Sequence, residues 1–228
     1  IEALRKLPSR ARDAKWDLMA IVWQDGPAGG SIVELRPAAE PGHVLGLAVD
    51  VGTTTVAAYL VDLQTGRVYS TESGMNPQVA FGDDVISRLY HALHNEDGVR
   101  ELQQTLITEV NGLARKALAR CGATPHDIFD VVMVGNTAMH HLFLGLDPQS
   151  LGTAPFTPAS KGAIDARASA LGLEFHPNCR LHVLPVEAGF VGADNVAVII
   201  AEEPSKQDEV LLLVDIGPNG ELVLGNRQ

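Results

Sequence analysis

An apolar run that ends in an acid, followed by a glycine and a polar turn, occurs twice in this chain. The first copy is Leu47-Ala48-Val49-Asp50-Val51-Gly52-Thr53-Thr54-Thr55-Val56-Ala57. The second is Leu213-Val214-Asp215-Ile216-Gly217-Pro218-Asn219-Gly220-Glu221-Leu222-Val223-Leu224. An internal repeat constrains a fold more than any single motif does. The flanking runs have strand composition, so each copy reads as a hairpin with a polar turn. Gly52 permits a backbone geometry that other residues resist. The N–H groups and hydroxyls of such a turn can cradle a phosphate. An acid beside that cradle repels phosphate unless a cation lies between them. Asp50 therefore reads as holding Mg2+ through its water shell, with Gly52, Thr53, Thr54 and Thr55 as phosphate contacts. By the same layout, Asp215 holds the metal from the other side, and Gly217, Asn219 and Gly220 meet the phosphates. The competing reading is an ordinary hairpin whose acid caps its own turn. Thr55 also has an alternative, facing into the sheet.

Composition narrows the class. The chain has 228 residues, 46% of them hydrophobic, which suffices for a buried core. A net charge of −11 argues against a nucleic-acid footprint. No apolar run reaches membrane-spanning length, and residues 1–16 lack a signal-peptide core. Cys121 and Cys179 are isolated, which points to a reducing, cytoplasmic setting and cannot supply a four-cysteine cluster.

Along the chain, residues 1–17 are mixed and basic, and strands are expected at 18–22 and 31–35, with a linker at 36–44. Three strands follow at 46–51, 55–62 and 67–73. Asp84 opens a helix, and a longer one runs from about Val99 to Arg120. Phe129–Val134 is a buried strand, Ala138–Leu144 a helix, 145–180 irregular, Leu181–Leu184 a strand and Ala188–Ala201 a helix. This order, β-β-β-α-β-α-β-α, gives an α/β fold: a ribonuclease-H-like mixed sheet with helices on both faces. Ligands in such sheets gather at the carboxyl ends of the strands.

Asp84, Glu187 and Asp194 are the candidate catalytic acids. Asp84 reads equally as a helix cap, while Glu187 and Asp194 flank a glycine-rich helix start and could polarise water or simply be solvated. Asn136 is a cofactor contact or a cap. His140 and His141 diverge on a helix and make a poor metal pair, His91 and His94 lack a third ligand, and Met133 and Met139 read as core.

The wording of several segments is more specific. Asn76-Pro77-Gln78, Asp84-Val85-Ile86-Ser87-Arg88, Val134-Gly135-Asn136-Thr137-Ala138-Met139-His140-His141 and Gly189-Phe190-Val191-Gly192-Ala193-Asp194 join the two hairpins. Together they resemble the reductive activators of corrinoid proteins, whose ATPase part has the fold of actin, sugar kinases and heat-shock ATPases. The resemblance implies ATP and Mg2+ as ligands and a corrinoid protein of a methyltransferase or O-demethylase system as partner. It implies return of Co(II) corrinoid to Co(I), with the electron delivered by a 2Fe-2S domain outside this chain. It divides the chain into the end of a small preceding domain at 1–43, a first ATPase subdomain at 44–204, and the start of a truncated second one at 205–228. Family members usually carry Thr where this chain has Pro218, which removes a donor from the second turn. A small-molecule kinase of the same fold and a non-catalytic docking domain are the alternatives. The unpaired edge of the second hairpin makes a homodimer a further expectation.

Overall fold

The computed structural model describes residues 2–25, 29–217 and 220–228. The chain opens with helix α1 (Glu2–Asp13) and the hairpin β1 (Leu18–Asp25) and β2 (Gly29–Pro37). Next come β3 (Leu45–Val51), β4 (Thr55–Asp62), β5 (Val68–Met75), α2 (Val85–His94) and α3 (Gly98–Ala119). The order continues with β6 (Ile128–Gly135), α4 (Thr137–Leu144), β7 (Ile164–Arg167), β8 (Arg180–Val183) and α5 (Ala193–Glu202). It closes with β9 (Leu211–Ile216) and β10 (Gly220–Gly225).

Six strands form one sheet in the order β5-β4-β3-β6-β8-β7. β3, β6 and β8 run parallel, and β4, β5 and β7 run antiparallel to their neighbours. This is the ribonuclease-H-like arrangement with one added edge strand. β3 is central, and its apolar residues are covered from both sides, as the almost unbroken run Leu45–Val51 requires. β6 shows how the two faces separate. Val131 and Met133 join the large core under α2, α3 and α4, while Val132 and Val134 pack with Leu184, Val186 and Ala193 on the α5 side. Helices thus cover both faces.

α3 buries Leu102, Leu106, Val110, Leu113 and Ala117, one stripe at helical spacing, against β4 and β5. Each buried leucine contributes roughly 1.5–3 kcal/mol. α2 starts in a capping box, with Asp84 accepting from the Ser87 N–H at 2.7 Å. Arg36 pairs with Glu34 on its own strand at 2.9 Å and ties the β1–β2 hairpin to the sheet through Asp127 at 3.2 Å, and its guanidinium lies over the Phe129 ring. Among the described residues no helix is long and apolar enough to cross a membrane.

Three expectations change. Residues 2–13 form a helix rather than an unassigned basic stretch. The segment 145–180 contains β7, which pairs antiparallel with β8. The last large helix begins at Ala193, not Ala188, because the N–H groups of Glu187 and Ala188 both bond to Val191 O and close a turn first.

Candidate functional site

The in-register pairing of β3 with β6 sets Val51 beside Gly135, so two strand ends meet at one edge of the sheet. The turn after β3 and the start of α4 are therefore neighbours. Gly135 fits because a Cβ there would lie 2.6 Å from Val51 O. The start of α5 completes the floor, and a Cβ on Gly192 would lie 2.4 Å from the Asn136 Cα. Above this floor the β9–β10 hairpin brings Asp215 to face Asp50. The cleft between them has a volume of about 290 Å³ and is lined by Asp50, the turn from Gly52 to Thr55, Asn136, Asp194, Asp215, Gly217 and Glu221.

The turn is held at three successive residues. Gly52 O accepts from Asn76 Nδ2 at 2.8 Å, Thr53 Oγ1 from Asn136 Nδ2 at 3.0 Å, and Thr54 O from the Asn76 N–H at 2.7 Å. Gly52 itself donates to Thr55 O at 2.9 Å. A Cβ on Gly52 would sit 2.8 Å from that same oxygen. Close approach, not a left-handed φ, is thus what makes glycine necessary here. Asn136 has two roles at once, since its Oδ1 also caps α4 by accepting from the Met139 N–H at 3.0 Å.

The electrostatics are one-sided. Asp50, Asp194, Asp215 and Glu221 line the cleft, and among the described residues no lysine or arginine does. Asp50 opens onto the cleft, yet protein atoms crowd it on most sides. That crowding, with Asp194 and Asp215 nearby, raises its pKa from 3.8 to about 6. Burial also raises Asp194 and Glu221, with smaller contributions from the other cleft acids. A cation between the acids would relieve this repulsion. Among the described residues, no three His, Cys, Asp or Glu groups stand close enough to ligate a metal directly. The donor set fits a hydrated Mg2+ held through water.

The structure gathers Asp50, Gly52, Thr53, Thr54, Thr55, Asn136, Asp194, Asp215 and Gly217 in this cleft. Thr55 faces the cleft side rather than the core. Gly220 opens β10 beside it. Asn219, and Pro218 with it, lie outside the described residues. Asp84 is not brought in: it caps α2 and lines a neighbouring apolar pocket with Ile86, Leu89 and Phe190. Glu187 is exposed in the turn before α5 and does not line the cleft. Asn76 and Glu221 belong to the site although sequence reasoning gave them no role. For Asn76, the one signal was its place in a quoted motif. His141 is used structurally, with Nδ1 on Thr137 O and Nε2 accepting from the Ala159 N–H.

Comparison with known proteins identifies the family. The family described as the RACo middle region matches residues 45–207. The corrinoid activation enzyme RamQ of Eubacterium limosum is 34% identical over 200 residues, which cover 87% of this chain and 33% of that protein. A solved structure of a reductive activator for corrinoid, iron-sulfur protein superposes with a TM-score of 0.91 at 35% identity, covering 100% of this chain and 36% of the other. The chain thus spans about a third of the length of these relatives. It belongs to the RACo middle region family.

Proposed function

We propose that this chain is the nucleotide-responsive part of a reductive activator of corrinoid proteins. One observation carries the reading: two Asp-x-Gly hairpins converge on a single cleft, where carboxylates face a turn fixed at three consecutive residues. Asp50 and Asp215 would hold hydrated Mg2+, and the Gly52–Thr55 turn with Gly217, Asn219 and Gly220 would receive the phosphates of ATP. Bound Mg2+ supplies charge neutralisation to the phosphates. Asp194 is the acid best placed to orient a water, because Asp84 and Glu187 stand outside the cleft. The names of the relatives support a corrinoid protein as partner and its reductive activation as the outcome; our reading adds return of Co(II) to Co(I), with the electron coming from a 2Fe-2S centre elsewhere in the parent protein. In this reading residues 44–204 form the first ATPase subdomain and 205–228 begin the second. ATP would act by binding two arrangements of these parts with different affinity, the only way a ligand shifts such an equilibrium.

Calorimetric titration of Mg-ATP into the full-length parent protein tests the reading. Binding that is strongly weakened in Asp50→Asn, with ATP-dependent appearance of the Co(I) absorption band in a corrinoid partner, is the expected result. Absence of binding in both the natural protein and a Pro218→Thr variant would remove the phosphate clamp. Phosphoryl transfer dependent on a small substrate would replace the activator with a kinase.

A further inference from the structure

Arg88 is the largest fully buried side chain in the molecule's described part, at 0% exposure. Its Nε donates to Gly82 O at 2.9 Å and its Nη1 to Met139 Sδ at 3.6 Å, while Nη2 has no hydrogen-bond partner among the described residues. Asp84 and Asp83 act on it at a distance, and burial opposes its charge. An ionised group in such a place is costly, and a well-packed apolar side chain of the same volume usually serves a fold at least as well. Packing alone does not account for it.

Its contacts lead to the cleft. Met139 Sδ also lies 3.6 Å from Asn76 Nδ2, the group that donates to Gly52 O at 2.8 Å. The Met139 N–H is held by Asn136, which in turn donates to Thr53. Two donors thus share one thioether sulfur, a weak acceptor. The cationic donor makes the stronger claim, since charge-assisted hydrogen bonds exceed neutral ones. The Asn76 amide has two hydrogens, one for the sulfur and one for Gly52 O, so the sulfur links the guanidinium to the group that holds the turn. The same guanidinium is a positive charge joined through Met139 and Asn76 to a turn whose cleft, among the described residues, carries acids and no base. In the low-dielectric interior its field reaches further than it would in water.

We infer that Arg88 is the positioning residue of the phosphate turn: through Met139 and Asn76 it fixes the carbonyl of Gly52, and it supplies the buried countercharge that lets an acidic cleft accept an anionic phosphate. The inference rests on the phosphate-cleft reading above and deepens it.

The test uses the full-length parent with Mg-ATP as the probe, and reads melting temperature without nucleotide alongside calorimetric affinity. Arg88→Met keeps the shape and removes the charge. It is expected to melt at the same or a higher temperature while affinity falls at least roughly tenfold, the size of one lost charge-assisted contact. Arg88→Lys retains the charge and recovers part of that loss. Met139→Leu removes the shared sulfur at nearly constant volume and weakens binding by about threefold, less than one neutral hydrogen bond, with the melting temperature unchanged. A lower melting temperature with unchanged affinity in Arg88→Met would make Arg88 a plain structural anchor. So would a joint fall in both quantities that Arg88→Lys does not repair. If Arg88→Met does not fold, unchanged affinity in Met139→Leu overturns the inference. Failure of the unsubstituted parent to bind Mg-ATP would instead sink the cleft reading, and this inference with it.

Discussion

The two hairpins carry the same Asp-x-Gly wording but are held in different ways. In β3–β4 both strands lie inside the six-stranded sheet, and asparagines from two other elements fasten the turn. β9–β10 forms a sheet of its own. Its strands alternate, with Leu211, Leu213, Asp215, Glu221 and Val223 half-covered and Leu212, Val214, Ile216, Leu222 and Leu224 exposed, Ile216 at 88%. Within residues 1–228 the first turn is clamped on three residues and the second hairpin is a half-covered ribbon, whose remaining cover, in the proposed reading, belongs to the second subdomain that 205–228 begin. Tertiary clamps, not the motif, make the difference.

The strongest way to break this contrast is to remove the acids one at a time in the full-length protein. Asp50→Asn should weaken Mg-ATP binding on the order of a hundredfold, and Asp215→Asn only about tenfold, as measured by calorimetry. Equal losses would mean that the second hairpin is as well fixed as the first. Glycines give a stability version of the comparison. Gly52→Ala drives a methyl against Thr55 O and should cost about 1–3 kcal/mol in urea unfolding. Gly220→Ala, whose nearest neighbour is Asp215 O at 3.4 Å, should stay within about 0.5 kcal/mol.

The clamp itself can be cut. Asn76→Ala leaves the Gly52 carbonyl without its buried donor and should cost about 1–2 kcal/mol, with faster hydrogen exchange at 52–55 and none added in β9–β10. Exchange that rises in both hairpins would show that they are coupled.

A smaller effect is a pH dependence peculiar to the cleft. Folded Asp50 keeps its proton up to about pH 6, whereas the unfolded chain releases it near 3.8. The folded state thus binds the extra proton between these values, and without Mg2+ or nucleotide its stability should fall as pH rises through that window. Asp50→Asn should flatten this slope in melting experiments. The smallest expected change is at the exposed ribbon face: Leu222→Ser and Leu224→Ser should alter the stability of this chain by no more than about 0.5 kcal/mol.

Strong periodicity made much of the sheet and its main helix readable in advance. Strands expected at 46–51 and 55–62 occupy Leu45–Val51 and Thr55–Asp62, and the helix expected near 99–120 spans Gly98–Ala119. Weak patterns failed. α1 carries an internal Pro8 and polar residues that disguised it, and β7 is a four-residue edge strand too short to show alternation. Gly189 and Gly192 blurred the entry to α5, where a hydrogen-bonded turn precedes the helix. At the site, the repeat revealed the acids and the turn because both are local. Asn76 and Arg88 escaped because their roles arise only where distant strands and helices meet, whereas Glu221 lies opposite Asp215 in the same hairpin and was passed over as a strand residue. A helix-capping sequence at Asp84 and a glycine-rich stretch at Glu187 suggested places in the site, and the fold sets both residues outside the cleft.

The contact between Gly192 and Asn136 has a consequence for how this cleft can drift. A side chain at 192 meets main-chain atoms of 135 and 136, and one at 135 meets the main chain of 51. None of these neighbours can step aside by changing rotamer. Three loops far apart in the chain are therefore inherited as one part, and anyone transplanting the site into another scaffold must carry all three together.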